Sequence, residues 1–72
     1  MKRTPRLLDV VAIVRDFPGD RLVRGQVGTV VEILDKDAVE VEFADDDGRT
    51  YASLALQCDQ LMVLHHRPVK VA

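Results

Sequence analysis

Tryptophan is absent from this sequence, and other aromatic residues and cysteine are scarce: there are two phenylalanines, one tyrosine and one cysteine. Grooves that recognise proline-rich peptides are lined by aromatic side chains, so Phe17, Pro18 and Tyr51 would form a poor one. Cys58 cannot form an internal disulfide, which argues against a disulfide-stapled secreted mini-protein. A reducing, cytoplasmic location is therefore expected.

Long apolar runs are missing as well. The apolar stretches are short and interrupted by charges, far below the roughly 20 residues that a membrane-spanning helix needs. Asp9 follows the basic N-terminal residues before an apolar segment can develop, so we expect no export signal. The chain has 72 residues, enough for one domain. A chain of this size buries only about 60% of its unfolded surface, so the predicted core is small.

Positive charge is scarce in the body of the chain. All twelve acidic residues lie between Asp9 and Asp59, whereas half of the ten basic residues lie outside 9–64. Phosphate binding depends on lysine and arginine, so an acidic body disfavours nucleic acid as a partner.

What is present is a series of β-strand patterns. Val39, Val41 and Phe43 alternate with Glu40 and Glu42, which predicts one strand face in the core and the other in water. A polar segment before the last strand predicts a short 3₁₀ turn. Such short strands, separated by turn residues, predict a five-stranded SH3-like barrel. Strand-like segments cover 9–15, 29–34, 39–43, 49–56 and 61–64. The predicted barrel spans 9–64, between an N-terminal arm at 1–8 and a basic C-terminal tail at 65–72.

Three glycines are interpreted as structural. Gly25 and Gly28 suit a backbone that needs a positive φ or a close approach to its neighbours. Gly48, after three aspartates, suits the left-handed position of a hairpin turn.

Two strands carry apolar residues on both faces, although only one face of a small barrel can point inward. The surplus predicts an exposed apolar patch that a partner or a second copy of the chain covers. The apolar candidates are Val10, Val14, Met62 and Leu64. Acidic candidates that would attract a basic partner are Glu40, Glu42, Asp45 and Asp46.

No pattern indicates catalysis, a metal or a cofactor. His65 and His66 are adjacent and would point to opposite faces of a strand, which makes joint chelation awkward. Ser53 lacks the glycines of a nucleophile elbow. Asp59 would raise the pKa of the Cys58 thiol, so a core role for that cysteine is favoured over a reactive one.

The segments Leu7–Ala12, Arg24–Glu32, Glu40–Phe43 and Asp47–Ala52 together resemble the family of short bacterial proteins called domain of unknown function four-nine-two-six. The resemblance covers roughly Leu7 to Leu64. It implies an SH3-like barrel and a gene often placed beside that of another small protein, as in toxin and antitoxin pairs, but no catalytic residues. The segment from Leu22 to Val31 is also similar to the KOW motif of ribosomal and transcription-factor modules, although acidic residues follow it here.

We therefore expect a non-enzymatic module that binds a partner protein, encoded by a neighbouring gene and antitoxin-like or accessory in role. The alternative is an RNA- or ribosome-associated KOW-like module in which the basic termini contact phosphates. A purely structural homo-oligomer is a third hypothesis.

Overall fold

The computed structural model describes residues 4–65, which form five β-strands and two single turns of 3₁₀ helix. Residues 1–3 and 66–72 lie outside the described part, and with them His66 and most of the predicted tail. The strands are β1 (Val10–Ile13), β2 (Val27–Asp35), β3 (Ala38–Ala44), β4 (Thr50–Gln57) and β5 (Leu61–Val63). The 3₁₀ turns are η1 (Pro18–Asp20) and η2 (Cys58–Gln60), the second of which lies directly before β5 as predicted.

The five strands form one antiparallel sheet in the order β4-β3-β2-β1-β5. Strands β2, β3 and β4 follow each other as hairpins, and β5 returns to pair with the free side of β1. β1 is therefore flanked on both sides, by β2 through the pair Ala12 and Val27 and by β5 through the pair Ala12 and Met62. The first strand is shorter than the predicted 9–15 because the chain bends at Val14 and Arg15.

A single sheet has no second layer to cover its apolar face, so it must curl around its own side chains. The inward residues come from every strand, with Leu22 added by the loop between β1 and β2. Val39, Val41 and Phe43 are almost fully buried, as the alternation in β3 predicts. The prediction of a small all-β fold with five strands and a short 3₁₀ turn before the last strand is confirmed.

The curling depends on irregular backbone at a few positions. β2 contains register shifts between Val30 and Glu32 and again between Ile33 and Asp35, and such bulges bend a strand and increase its twist. Gly28 lies so close to β3 that a Cβ atom there would be 2.7 Å from Val41 Cγ1. Gly25 and Gly48 have φ angles of 95° and 81°, which turns the chain before β2 and between β3 and β4.

Candidate docking face

The outward side of β2, β1 and β5 is apolar. Residues paired across antiparallel strands point to the same side of the sheet, so the pairs of Ala12 place Val27, Ala12 and Met62 in one row. Val27 and Met62 are about half exposed, whereas Ala12 between them is only 8% exposed. Ala12 is covered although it points away from the core, because larger apolar neighbours stand on both sides of it.

A second row lies beside the first. Val10 pairs with Thr29 of β2, and its carbonyl accepts a hydrogen bond of 2.9 Å from the Leu64 amide. Val10, Thr29 and Leu64 are all half-buried. Val14, two residues after Ala12, continues the outward side of β1 and donates its amide to the Gln60 carbonyl at 3.0 Å. The structure thus brings the four predicted apolar residues together around β1, and we call this surface the apolar face: Val10, Ala12, Val14, Val27, Met62 and Leu64.

Acidic residues continue the same side of the sheet beyond β2. Glu42 pairs with Thr29, so it lies one strand further along the second row. Glu40, two residues away on β3, pairs directly with Glu32 of β2. Like charges placed opposite each other destabilise a sheet, and no described lysine or arginine forms an ion pair with Glu32, Glu40 or Glu42. We call these three glutamates the acidic strip.

The two predicted aspartates lie elsewhere, in the hairpin between β3 and β4. Asp45 Oδ1 accepts hydrogen bonds from the amides of Asp47 and Arg49, both at 2.9 Å, so its carboxylate shapes the turn. Asp46 is exposed in the same turn. The structure therefore brings Glu40 and Glu42 to the apolar face, but places Asp45 and Asp46 on a separate turn.

Sequence reasoning missed Val27 and Glu32, and it placed Ala12 on the same strand face as Val10 and Val14 without choosing it as a contact residue. Val27 follows the glycine loop, and its neighbours Gly28 and Thr29 do not show an apolar alternation. Glu32 opposes Glu40 only because β2 is bulged after Val30, which reverses the direction of the following side chains. A sequence gives little signal for such a bulge.

Cys58 and Ser53, the two side chains considered as nucleophiles, both have contacts that fit a structural role. Cys58 is half-buried and packs against the core instead of lying fully within it. Burial, and then the charges of Asp37, Asp35 and Asp59, raise the pKa of its thiol, which disfavours the nucleophilic thiolate. The Glu40 carboxylate accepts a hydrogen bond from Ser53 Oγ at 2.7 Å.

The aromatic residues Tyr51 and Phe17 contact different partners. The Tyr51 hydroxyl accepts a hydrogen bond of 2.9 Å from Gln26 Nε2, and its ring lies 6.3 Å from that of Phe43. The Arg15 guanidinium lies 5.3 Å from the centre of the Phe17 ring. Within 4–65 no group of three or more histidine, cysteine or acidic residues is arranged to hold a metal ion.

Residues 4–65 contain no helix with the length and apolar character needed to cross a membrane. Comparisons with curated proteins and with solved structures gave no match. A family model matches residues 7–63, which include all five strands and the whole apolar face except Leu64. The chain therefore belongs to the family described as Domain of unknown function (DUF4926).

Proposed function

We propose that this protein is a non-enzymatic interaction module whose apolar face binds a partner protein. The observation that carries the proposal is the outward row of Val27, Ala12 and Met62, which the core does not require. Soluble monomers rarely expose contiguous apolar patches larger than roughly a few hundred Å², and an apolar patch with a polar border is typical of a protein interface.

The acidic strip supports a partner with basic residues beside its apolar contact. Glu32 and Glu40 oppose each other and neither forms an ion pair with a described lysine or arginine, so such a residue from a partner would remove a repulsion as well as add an attraction. The gene arrangement associated with the family suggests that the partner is encoded next to this protein, in an accessory or antitoxin-like role. The setting we propose is the bacterial cytoplasm.

The test uses purified components. The partner is identified by affinity capture from the native host and then produced separately, and its Kd is measured by calorimetry. Changing Val27 and Met62 together to serine should weaken binding at least tenfold, because both side chains are half exposed on the apolar face. Val23→Ser is the matched control, since Val23 is 60% exposed but lies in the loop before β2. Equal affinities for both variants would contradict the proposal.

One observation favours the RNA-binding alternative. The segment between β1 and β2 holds three exposed arginines, Arg15, Arg21 and Arg24, near the turn at Gly25. Filter binding with a mixed-sequence RNA separates the two functions, because phosphate binding weakens steeply with salt. Saturable, salt-sensitive binding that is lost in Arg21→Glu would support this alternative, and no binding at low salt would remove it.

A further inference from the structure

Within residues 4–65, no strand pairs with the outer edge of β5, which leaves backbone hydrogen-bonding groups there without a strand partner. In an antiparallel pair, alternate residues direct their amide and carbonyl groups toward the neighbouring strand. Leu64 donates to Val10 and Gln60 accepts from Val14, so the even-numbered residues of this segment face β1. The N–H and C=O of Val63 therefore point away from the sheet, where no described strand pairs with β5. An edge of this kind can accept an added strand.

A groove of about 760 Å³ runs beside this edge. Leu61, Met62 and Val63 form the β5 wall, Val14 adds an apolar contact, and Cys58 lies on the η2 side. Val14 and Met62 also belong to the apolar face, so the groove and the face are continuous.

The charged lining of the groove is acidic. Asp37, from the turn between β2 and β3, and Asp59, from η2, both line it. No described lysine or arginine does so, and His65 is the one basic side chain among the described lining residues. These two aspartates, with Asp35, also help to raise the pKa of the Cys58 thiol, after the larger effect of burial. The groove therefore disfavours an anion and favours a cation.

We propose that this groove receives an extended segment of the partner protein in which apolar residues alternate with lysine or arginine, and which adds to β5 as a sixth strand. This rests on the proposed function and specifies the chemistry of its partner. Backbone hydrogen bonds to Val63 would supply affinity, while the apolar walls and the aspartates would select the side chains. Alternation places successive side chains on opposite sides of the added strand, so one side meets apolar wall and the other meets carboxylate.

The test needs only a synthetic probe and the full chain. The probe is a capped peptide with a tryptophan followed by alternating valine and lysine, and its counterpart carries glutamate in place of lysine. This chain contains no tryptophan, so fluorescence reports the probe alone. We expect saturable binding of the lysine probe, binding of the glutamate probe at least tenfold weaker, and slower amide exchange at Val63. Equal binding of both probes, or unchanged exchange at Val63, would overturn the inference.

Charge variants give a matched control. Asp37→Asn with Asp59→Asn should weaken the lysine probe about tenfold, whereas Asp46→Asn with Asp47→Asn removes the same charge from the β3–β4 turn and should leave its affinity unchanged. Equal weakening by both pairs would show general charge attraction only and would overturn the site.

Two further outcomes separate this inference from the function on which it depends. If the natural partner loses affinity for the Val27 and Met62 variant but not for the Asp37 and Asp59 variant, the interaction module stands and the groove assignment fails. If Arg67→Glu with Lys70→Glu in the full chain tightens probe binding severalfold, the chain's own basic segment competes for the groove, and the assignment to a partner segment is overturned.

Discussion

Gly28→Ala should be among the most destabilising small substitutions in this domain. The added Cβ would lie 2.7 Å from Val41 Cγ1, 2.9 Å from the Glu42 carbonyl oxygen and 3.0 Å from Phe43 Cδ2. Carbon atoms pack at about 3.5–4.0 Å, so the new atom would stand well inside contact distance of three groups. Val41 and Phe43 are completely buried, and the Glu42 oxygen belongs to the backbone of β3, so none of the three can move freely.

The expected loss is about 1–3 kcal/mol, the usual cost of overpacking a well-filled core. At about 0.05–0.15 kcal/mol per residue, a domain of this size has a total stability of about 4–11 kcal/mol, so the loss is a large fraction of it. Urea unfolding followed by circular dichroism measures the difference. For a urea m-value of about 1 kcal/mol/M, a loss of 2 kcal/mol lowers the midpoint by about 2 M.

Two other glycines separate steric conflict from backbone conformation. Gly19→Ala should change stability by less than about 0.5 kcal/mol, because a Cβ there meets nothing within 4 Å. Gly25→Ala should cost about 1–3 kcal/mol although its surroundings are open, because its φ of 95° is unfavourable for alanine. If Gly28→Ala unfolds at the same urea concentration as Gly19→Ala, the close approach of β2 to β3 is not as described and the reasoning is refuted.

Leu8 has a φ of 70°, so Leu8→Gly should raise the free energy of unfolding by up to about 1 kcal/mol, and the urea midpoint with it. Leu7→Gly should lower the urea midpoint. The reverse order would contradict the turn geometry. Because its thiol pKa is raised, Cys58 should react with iodoacetamide at pH 8.5 more slowly in the folded protein than in the urea-unfolded chain. Asp37→Asn should speed the reaction of the folded protein. An unchanged rate in that variant would exclude an electrostatic effect of Asp37. Because of the raised pKa, the folded state holds the thiol proton more tightly than the unfolded chain does. The contribution of this group to stability therefore falls as pH rises above the ordinary thiol pKa, and the urea midpoint should decrease between pH 8 and pH 10. Tyr51→Phe removes the hydroxyl that accepts a hydrogen bond from Gln26 and should lower the free energy of unfolding by about 0.5 kcal/mol at this exposed position. No loss of stability would mean that water replaces this hydrogen bond at no cost.

The sequence predicted the parts of the fold that depend on local patterns. The alternation around Val41, the turn at Gly48 and the 3₁₀ turn before β5 each follow from neighbouring residues, and the structure contains all three. The bulges in β2 were not predicted, because they lie beyond Thr29, where β2 pairs with β3 alone, and depend on that pairing instead of on a local residue pattern. The positive φ of Leu8 was missed as well: Leu8 lies in a turn that the Asp9 amide closes on the Arg6 carbonyl, and its own amide donates to the Val30 carbonyl, whereas leucine has no preference for this conformation.

The candidate site was predictable only in part. The surplus apolar residues of the first and last strands indicated a patch, but the sequence could not show that the two strands are neighbours. The groove was even harder to predict from the sequence, because Asp37, Cys58 and His65 come from distant parts of the chain and line one groove only after folding. The groove could not be predicted because its lining residues are far apart in the sequence, and not because they are of unusual types.

The position of β1 explains why binding and stability should be separable in this domain. β1 is flanked by β2 and β5, so its inward residues Val11 and Ile13 are almost fully buried, and substitutions there act on the core. Its outward residues belong to the apolar face, in which Val27 of β2 and Met62 of β5 already contact water in the free protein. Replacing these two with serine gives up only the buried half of each side chain, so at about 25 cal/mol per Å² it costs less folding free energy than a core substitution such as Val11→Ser. A loss of partner binding measured on the fraction that remains folded, as determined from the urea curve, would therefore be assigned to the face itself and not to unfolding.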